Sequence, residues 1–234
     1  MSSALIASAV LWDLDGTLVD TEQYWMKGES ALAARYPGKW THEDGLALVG
    51  LSLYESGRIM RERMKITDRS VEEIIDELTA VVMAELEREV PWRPGALELV
   101  RELHLHGVPQ VIVTMSMRRM ALAVQQAVHD QTGFPVFDFV VAGDDVVNGK
   151  PHPEAYLIAA ERLGLSPQEC VAFEDSINGL TSAEAAGTRA VGVPNVIELP
   201  EAPGRVIWPT LAGVEPHHLN QLFQPSFGAE IQGQ

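Results

Sequence analysis

The sequence predicts an α/β fold: a parallel sheet core with helices on both faces and a helical segment inserted after the first strand. Three observations predict it. Short apolar runs alternate with amphipathic helical patterns, which indicates parallel strands joined by crossover helices. Several of those runs end on polar residues, as strands do at the ligand-binding rim of an open parallel sheet. One long stretch, from about residue 21 to 90, interrupts the alternation with helical patterns and no convincing strand.

The first strand is Ala9 to Trp12, an apolar run ahead of an acidic turn. Within the insert, Val71, Ile74, Ile75, Leu78 and Val82 recur at helical spacing, with Glu72, Glu73, Asp76 and Glu77 turned away. Ser70 and Glu73 have capping-box spacing at the start of that helix. Pro91-Trp92-Arg93-Pro94-Gly95 marks the return to the core. Ala96, Leu99, Val100 and Leu103 then share one helical face before Gly107. Val111 to Val113 is the second strand, Met117 to Val128 a helix, and Phe137 to Ala142 the third strand. Tyr156, Ala159, Ala160 and Leu163 mark a helix between Pro153 and Gly164. Val171 to Phe173 is the fourth strand, followed by a helix over Ser176 to Ala186 that stops at Gly187. Arg189 to Val193 is a fifth strand and Arg205 to Trp208 a weaker sixth. The core is thus Rossmann-like and discontinuous, residues 1–20 and 91–223, with a helical insert over 21–90. The polar, glycine-containing tail, 224–234, is expected to fray.

With 234 residues, 46% hydrophobic and 21% charged, the chain is long enough for a substantial core and ordinary for a globular protein. The net charge of -16 and the lack of a basic face argue against nucleic acid as a partner. Phosphorylated substrates stay open, because a metal and a few lysines can invert the local field. The single cysteine, Cys170, excludes an internal disulfide framework and reads as a small buried residue. No apolar run reaches membrane-spanning length, so no membrane partner is expected. The N-terminus has no basic region or signal-like core, which predicts a cytoplasmic protein. The sequence carries no signal of oligomeric state.

The chemistry concentrates after the first strand. Asp13-Leu14-Asp15-Gly16-Thr17-Leu18-Val19-Asp20 holds three carboxylates where a buried strand should end. Such neighbours repel unless a cation or a shared proton neutralises them, so the cluster points to a divalent metal with a nucleophile or acid beside it. Thr114 follows the second strand, and Glu174 and Asp175 follow the fourth. Adjacent strands would bring all of these to one rim. Lys150, in Gly149-Lys150-Pro151-His152-Pro153-Glu154, adds a cation that can hold an anionic group and keep a carboxylate ionised.

With these motifs in order, the chain resembles the haloacid dehalogenase superfamily, in the branch with a helical cap after the first strand. The resemblance rests on Asp13-Leu14-Asp15-Gly16-Thr17, on Thr114, on Lys150, and on Phe173-Glu174-Asp175-Ser176-Ile177-Asn178-Gly179, and spans roughly residues 9 to 195. It implies that 21–90 is a cap and that the protein is a phosphatase of a small phosphorylated metabolite, a sugar phosphate in particular. Asp13 would be the nucleophile that forms an aspartyl-phosphate, and Asp15 the acid and base. Mg²⁺ would be held by the Asp13 carboxylate, the Asp15 backbone carbonyl and the Asp175 carboxylate, with Glu174 as an outer partner. Thr114 and Lys150 would bind the phosphoryl oxygens.

Two other readings compete. A sugar-phosphate mutase of the β-phosphoglucomutase type would carry histidine where this chain has Trp25, and arginine after Gly50-Leu51-Ser52, where this chain has Leu53. A non-catalytic binding protein on the same scaffold would tolerate loss of Asp13, Asp15, Lys150 or Asp175, and all are present. A hydrolytic dehalogenase would need neither Asp15 nor Asp175, and a phosphonatase would need a cap lysine in a motif that Lys27, Lys39 and Lys65 do not form. Trp25, Met26, Glu29, Leu51 and Ser52 are candidates to face the cleft, with Trp25, Leu51 and Ser52 the proposed specificity residues. Met115-Ser116 replaces the Asn-Ser that commonly follows the threonine in this family. Asp20 reads as structural near the hinge, Asp144 and Asp145 as a loop or an outer acidic pair, and His104, His106, His217 and His218 as solvent-exposed.

Overall fold

The computed structural model describes residues 7–224. Apart from Gln224, the tail expected to fray lies outside the described residues. Six parallel strands form one sheet: β1 Ala9–Trp12, β2 Gln110–Val113, β3 Phe139–Val141, β4 Cys170–Glu174, β5 Arg189–Gly192 and β6 Val206–Ile207. Their spatial order is β3-β2-β1-β4-β5-β6. Each apolar run read from the sequence carries a strand, and the differences lie at the ends. The third strand stops before Ala142, which already opens a 3₁₀ turn over Gly143–Asp145.

Four helices flank the strands of the core: α5 Ala96–Leu105 ahead of β2, α6 Arg118–Thr132, α7 Glu154–Leu163 and α8 Ile177–Ala186. Strand alternation divides the apolar residues between two layers. Val10, Trp12, Ile112, Val171 and Phe173 enter one layer. Ala9, Leu11, Val111, Cys170 and Ala172 enter the other, with Tyr156 of α7. Both faces of the sheet are therefore buried, which is why its strands read as continuous apolar runs rather than alternating ones. Trp12 stacks on Phe173 at 4.7 Å between centroids, and its Nε1 donates to Gln110 Oε1 at 3.0 Å, so its one polar atom is satisfied inside the core.

Between β1 and α5 the chain forms four helices: α1 Glu22–Ala33, α2 His42–Leu46, α3 Leu53–Arg63 and α4 Val71–Leu86. α4 buries Ile74, Ile75, Leu78, Val82 and Leu86. Its capping box is formed in both directions, Glu73 N to Ser70 Oγ at 3.2 Å and Ser70 N to Glu73 Oε2 at 2.7 Å. The two connections to this layer run side by side. Val19 bridges Trp92 antiparallel, Asp20 N donates to Pro91 O at 2.7 Å, and Arg93 N donates to Leu18 O at 2.9 Å. Asp20 also accepts from Asn195 Nδ2 at 3.0 Å, which ties the connection to the core. Among the described residues no helix is long and apolar enough to cross a membrane.

β1 lies between β2 and β4, with the chain passing first to one side of it and then to the other. In an open parallel sheet the crevice beyond the carboxyl ends at such a switch point is where ligands bind.

Candidate active site

The site is assembled at that crevice. Asp13 follows β1, Thr114 follows β2, Glu174 ends β4, and Asp175 comes next. All four are buried. Lys150 reaches the same point from the turn ahead of α7, where its backbone N–H donates to Met115 Sδ at 3.2 Å. Its Nζ lies 2.6 Å from Asp13 Oδ1, 2.6 Å from Glu174 Oε1 and 2.9 Å from Val113 O. Burial alone would lower the lysine pKa, but the Asp13 and Glu174 carboxylates outweigh it and hold the ammonium above the ordinary lysine value.

The carboxylates feel the reverse. Burial raises Asp13 above its usual range, Lys150 opposes that, and Asp15 adds to it. Glu174 is pushed up to about 7 by burial and by Asp13, and its Oε1 also accepts from the buried Tyr156 hydroxyl. Asp175 lies well above the carboxylate range, through burial and then Asp13, Glu174 and Glu22. One lysine thus leaves the cluster short of positive charge.

Asp13, Glu174 and Asp175 each bring a carboxylate oxygen within 4.8 Å of the others. Glu174 Oε2 and Asp175 Oδ2 are buried without a hydrogen-bond partner. Buried orphan acceptors are costly, and two of them in an all-oxygen cluster are groups that a bound cation would satisfy. Backbone geometry keeps this space open. A Cβ on Gly16, which has φ +83°, would fall 1.9 Å from Asp175 Oδ2, and one on Gly179 would fall 1.8 Å from Glu174 Oε2. Only glycine tolerates that approach at either position.

Asp15 stands apart from the triad. Its Oδ1 accepts from Thr21 Oγ at 2.5 Å and Trp25 Nε1 at 3.0 Å, and its Oδ2 from Ser116 Oγ at 2.6 Å. Trp25, chosen from the sequence as a specificity residue, lines the cleft and also holds Asp15. Thr114 Oγ accepts from Ser116 N at 3.0 Å, which leaves the threonine O–H available as a donor. Leu51 lines the cleft, whereas the Ser52 hydroxyl accepts from Glu55 N at 3.2 Å and caps α3. Asp144 and Asp145 engage Arg118 at the start of α6, outside the site. His104 stacks on Phe134, and His217 pairs with Glu215 at 3.2 Å, also away from it.

Sequence reasoning gave no site role to Ser116 or Tyr156, and read Thr21 and Glu22, ahead of Trp25, only as a likeness to sugar-phosphate phosphatases; Thr21, Ser116 and Tyr156 each bond a site carboxylate. Glu22 lines the cleft and is pushed up to about 8 by burial, then by Asp15, Glu29, Asp20 and Asp13. Hydroxyl and carboxyl residues beside recognised motif residues were the available signal.

The chain is similar to several known proteins. The chain is 31% identical to the bifunctional riboflavin kinase/FMN phosphatase of Arabidopsis thaliana over 84% of its own length, and spans 51% of that protein. It is 34% identical to hexitol phosphatase A of Escherichia coli, covering 78% of this chain and 81% of that one. The solved structure of CbbY from Rhodobacter sphaeroides in complex with xylulose-(1,5)bisphosphate superposes with a TM-score of 0.75 at 26% identity, covering 88% of this chain and 96% of that one. A family model described as haloacid dehalogenase-like hydrolase matches residues 7–187, the span that holds β1, the helical insert and every residue of the site. The chain therefore belongs to the haloacid dehalogenase-like hydrolases.

Proposed function

We propose that this protein is a Mg²⁺-dependent phosphatase that hydrolyses a small phosphorylated metabolite, a sugar phosphate in particular, through an aspartyl-phosphate on Asp13. The observation that carries the reading is the buried Asp13–Lys150–Glu174 arrangement beside the orphan oxygens of Glu174 and Asp175. The named phosphatases among its relatives support the reaction class.

Asp13, Asp175 and the backbone carbonyl of Asp15 would hold the Mg²⁺, with Glu174 beside them; when bound, the ion supplies charge neutralisation for the phosphoryl group. Lys150 holds Asp13 Oδ1 and keeps the carboxylate ionised. With the Thr114 hydroxyl it offers donors to the phosphoryl oxygens, in a buried site where such contacts need no reorganisation. Asp13 attacks phosphorus, the bond to the ester oxygen breaks, and Asp15 gives its proton to the departing alkoxide. A water molecule then attacks the aspartyl-phosphate, Asp15 takes its proton, and the bond from phosphorus to Asp13 breaks to release phosphate. Thr21, Trp25 and Ser116 keep Asp15 at the cleft through this exchange. The helical layer of residues 21–90 serves as a cap that shields the reacting groups from bulk water.

Asp13→Asn tests the chemistry. Its phosphate release from p-nitrophenyl phosphate and a panel of phosphorylated metabolites should vanish while the thermal midpoint stays near that of the wild type. Chelation should stop the wild type and Mg²⁺ restore it. Retained turnover in the variant would remove the covalent mechanism, and chelator-resistant turnover would remove the metal.

A further inference from the structure

The cleft has a second acidic end that the chemistry at the sheet rim does not use. Glu22, Trp25 and Glu29 stand at i, i+3 and i+7 on α1, so they share one helical face, and that face lines the cleft. Trp25 ends on Asp15. Glu29 lies four residues further along the helix, about 6 Å of rise beyond Trp25. Leu48, Ser56, Met60 and Leu78 line the same cleft.

Glu29 is only 6% exposed. Its Oε2 accepts from Trp40 Nε1 at 3.2 Å and sits over Gly45, where a Cβ would come within 2.8 Å. Among the described residues no other donor and no lysine, arginine or histidine pairs with this carboxylate. Burial pushes its pKa up, opposed by the Trp40 N–H. A carboxylate facing an apolar pocket with one oxygen unpartnered is stabilised by whatever brings a donor to it.

We propose that Glu29 reads the alcohol half of the substrate: its unpartnered Oε1 binds a hydrogen-bond-donating group, a hydroxyl or an ammonium, on the leaving alcohol. This assignment rests on the phosphatase reading above. An apolar alcohol of the same length would leave the carboxylate desolvated and unpaired, so the site discriminates against it.

The test uses the full chain with Mg²⁺ and three matched esters: 4-hydroxybutyl, 4-aminobutyl and n-butyl phosphate. The wild type should prefer at least one donor-bearing ester over n-butyl phosphate by about tenfold or more in kcat/KM. Glu29→Leu should collapse that ratio towards one or invert it. Glu29→Gln keeps an acceptor and Trp40's partner but loses the charge, so it should weaken any preference for the amino ester more than that for the hydroxy ester. Equal use of all three esters by the wild type would overturn the proposal, as would a ratio that Glu29→Leu does not move. If Glu29→Leu fails to fold, the Gln variant carries the test, and an amino-to-hydroxy ratio equal to the wild type's overturns it. If the wild type hydrolyses none of the three esters nor p-nitrophenyl phosphate, the phosphatase reading falls. Calorimetric binding of the same esters to the wild type then decides the subsite: tighter binding of a donor-bearing ester supports it, and equal binding overturns it.

Discussion

Replacing Lys150 by methionine removes the one buried cation that two carboxylates share and keeps an unbranched side chain in its place. In the wild type Nζ lies 2.6 Å from both Asp13 Oδ1 and Glu174 Oε1. Removing one partner of a buried ion pair costs about 3–5 kcal/mol, because the remaining charge is left uncompensated. The variant has one escape, which is to take up a proton. Glu174 stands at about 7 with the lysine present, against 4.5 for an ordinary glutamate, and loss of the lysine pushes it higher still. A carboxyl whose folded pKa lies above its unfolded value favours the folded state below the unfolded pKa. That contribution is lost as pH rises through the folded pKa. Above pH 7 the wild-type Glu174 has largely ionised, whereas the variant still holds the proton and loses about 1.4 kcal/mol per pH unit. The deficit of Lys150→Met should therefore widen by about 2 kcal/mol between pH 7 and pH 8.5. Urea unfolding followed by tryptophan fluorescence, in EDTA so that no divalent cation substitutes for the lysine, measures it. A deficit below about 1 kcal/mol at pH 8.5, or one independent of pH, would refute the shared-cation account.

Other perturbations probe separate parts of the site. Trp25→Phe keeps the ring and removes the N–H that reaches Asp15, so kcat should fall about tenfold with KM changed less than about threefold; an unchanged kcat would strip the indole of its positioning role. Gly179→Ala should raise helix propensity by up to about 1 kcal/mol yet weaken Mg²⁺ binding and lower the thermal midpoint, because its Cβ would meet Glu174 Oε2 at 1.8 Å. A higher midpoint with undiminished Mg²⁺ affinity would contradict that packing. Glu22→Gln bears on the group raised from 4.5 to about 8, whose contribution to stability is present below about 4.5 and lost as pH rises through 8. In EDTA the variant should gain several degrees over the wild type between pH 5 and pH 9, read by thermal melting; parallel curves would remove Glu22 from the buried acidic set.

The sequence by itself determines the sheet, because each strand buried on both faces is a continuous apolar run, and the helices between them carry legible caps and periodicity. It determines the chemical groups as well: Asp13, Thr114, Lys150, Glu174 and Asp175 sit at strand ends or in a stiff turn, and that placement is a local property. Helix α1 is far less legible, since Glu22 and Glu29 interrupt its apolar face, and they do so because that face borders a cleft rather than a core. Only the tertiary structure decides which group meets which. Ser116 reaches Asp15 across 101 residues, and Lys150 reaches Asp13 across 137. The reason is physical: periodicity and burial are written along the chain, but the partner of each carboxylate oxygen depends on side-chain directions across β1, β2, β4 and α1. Those directions exist only once the strand order β2-β1-β4 brings distant strand ends to one rim, beside a cleft that α1 also lines.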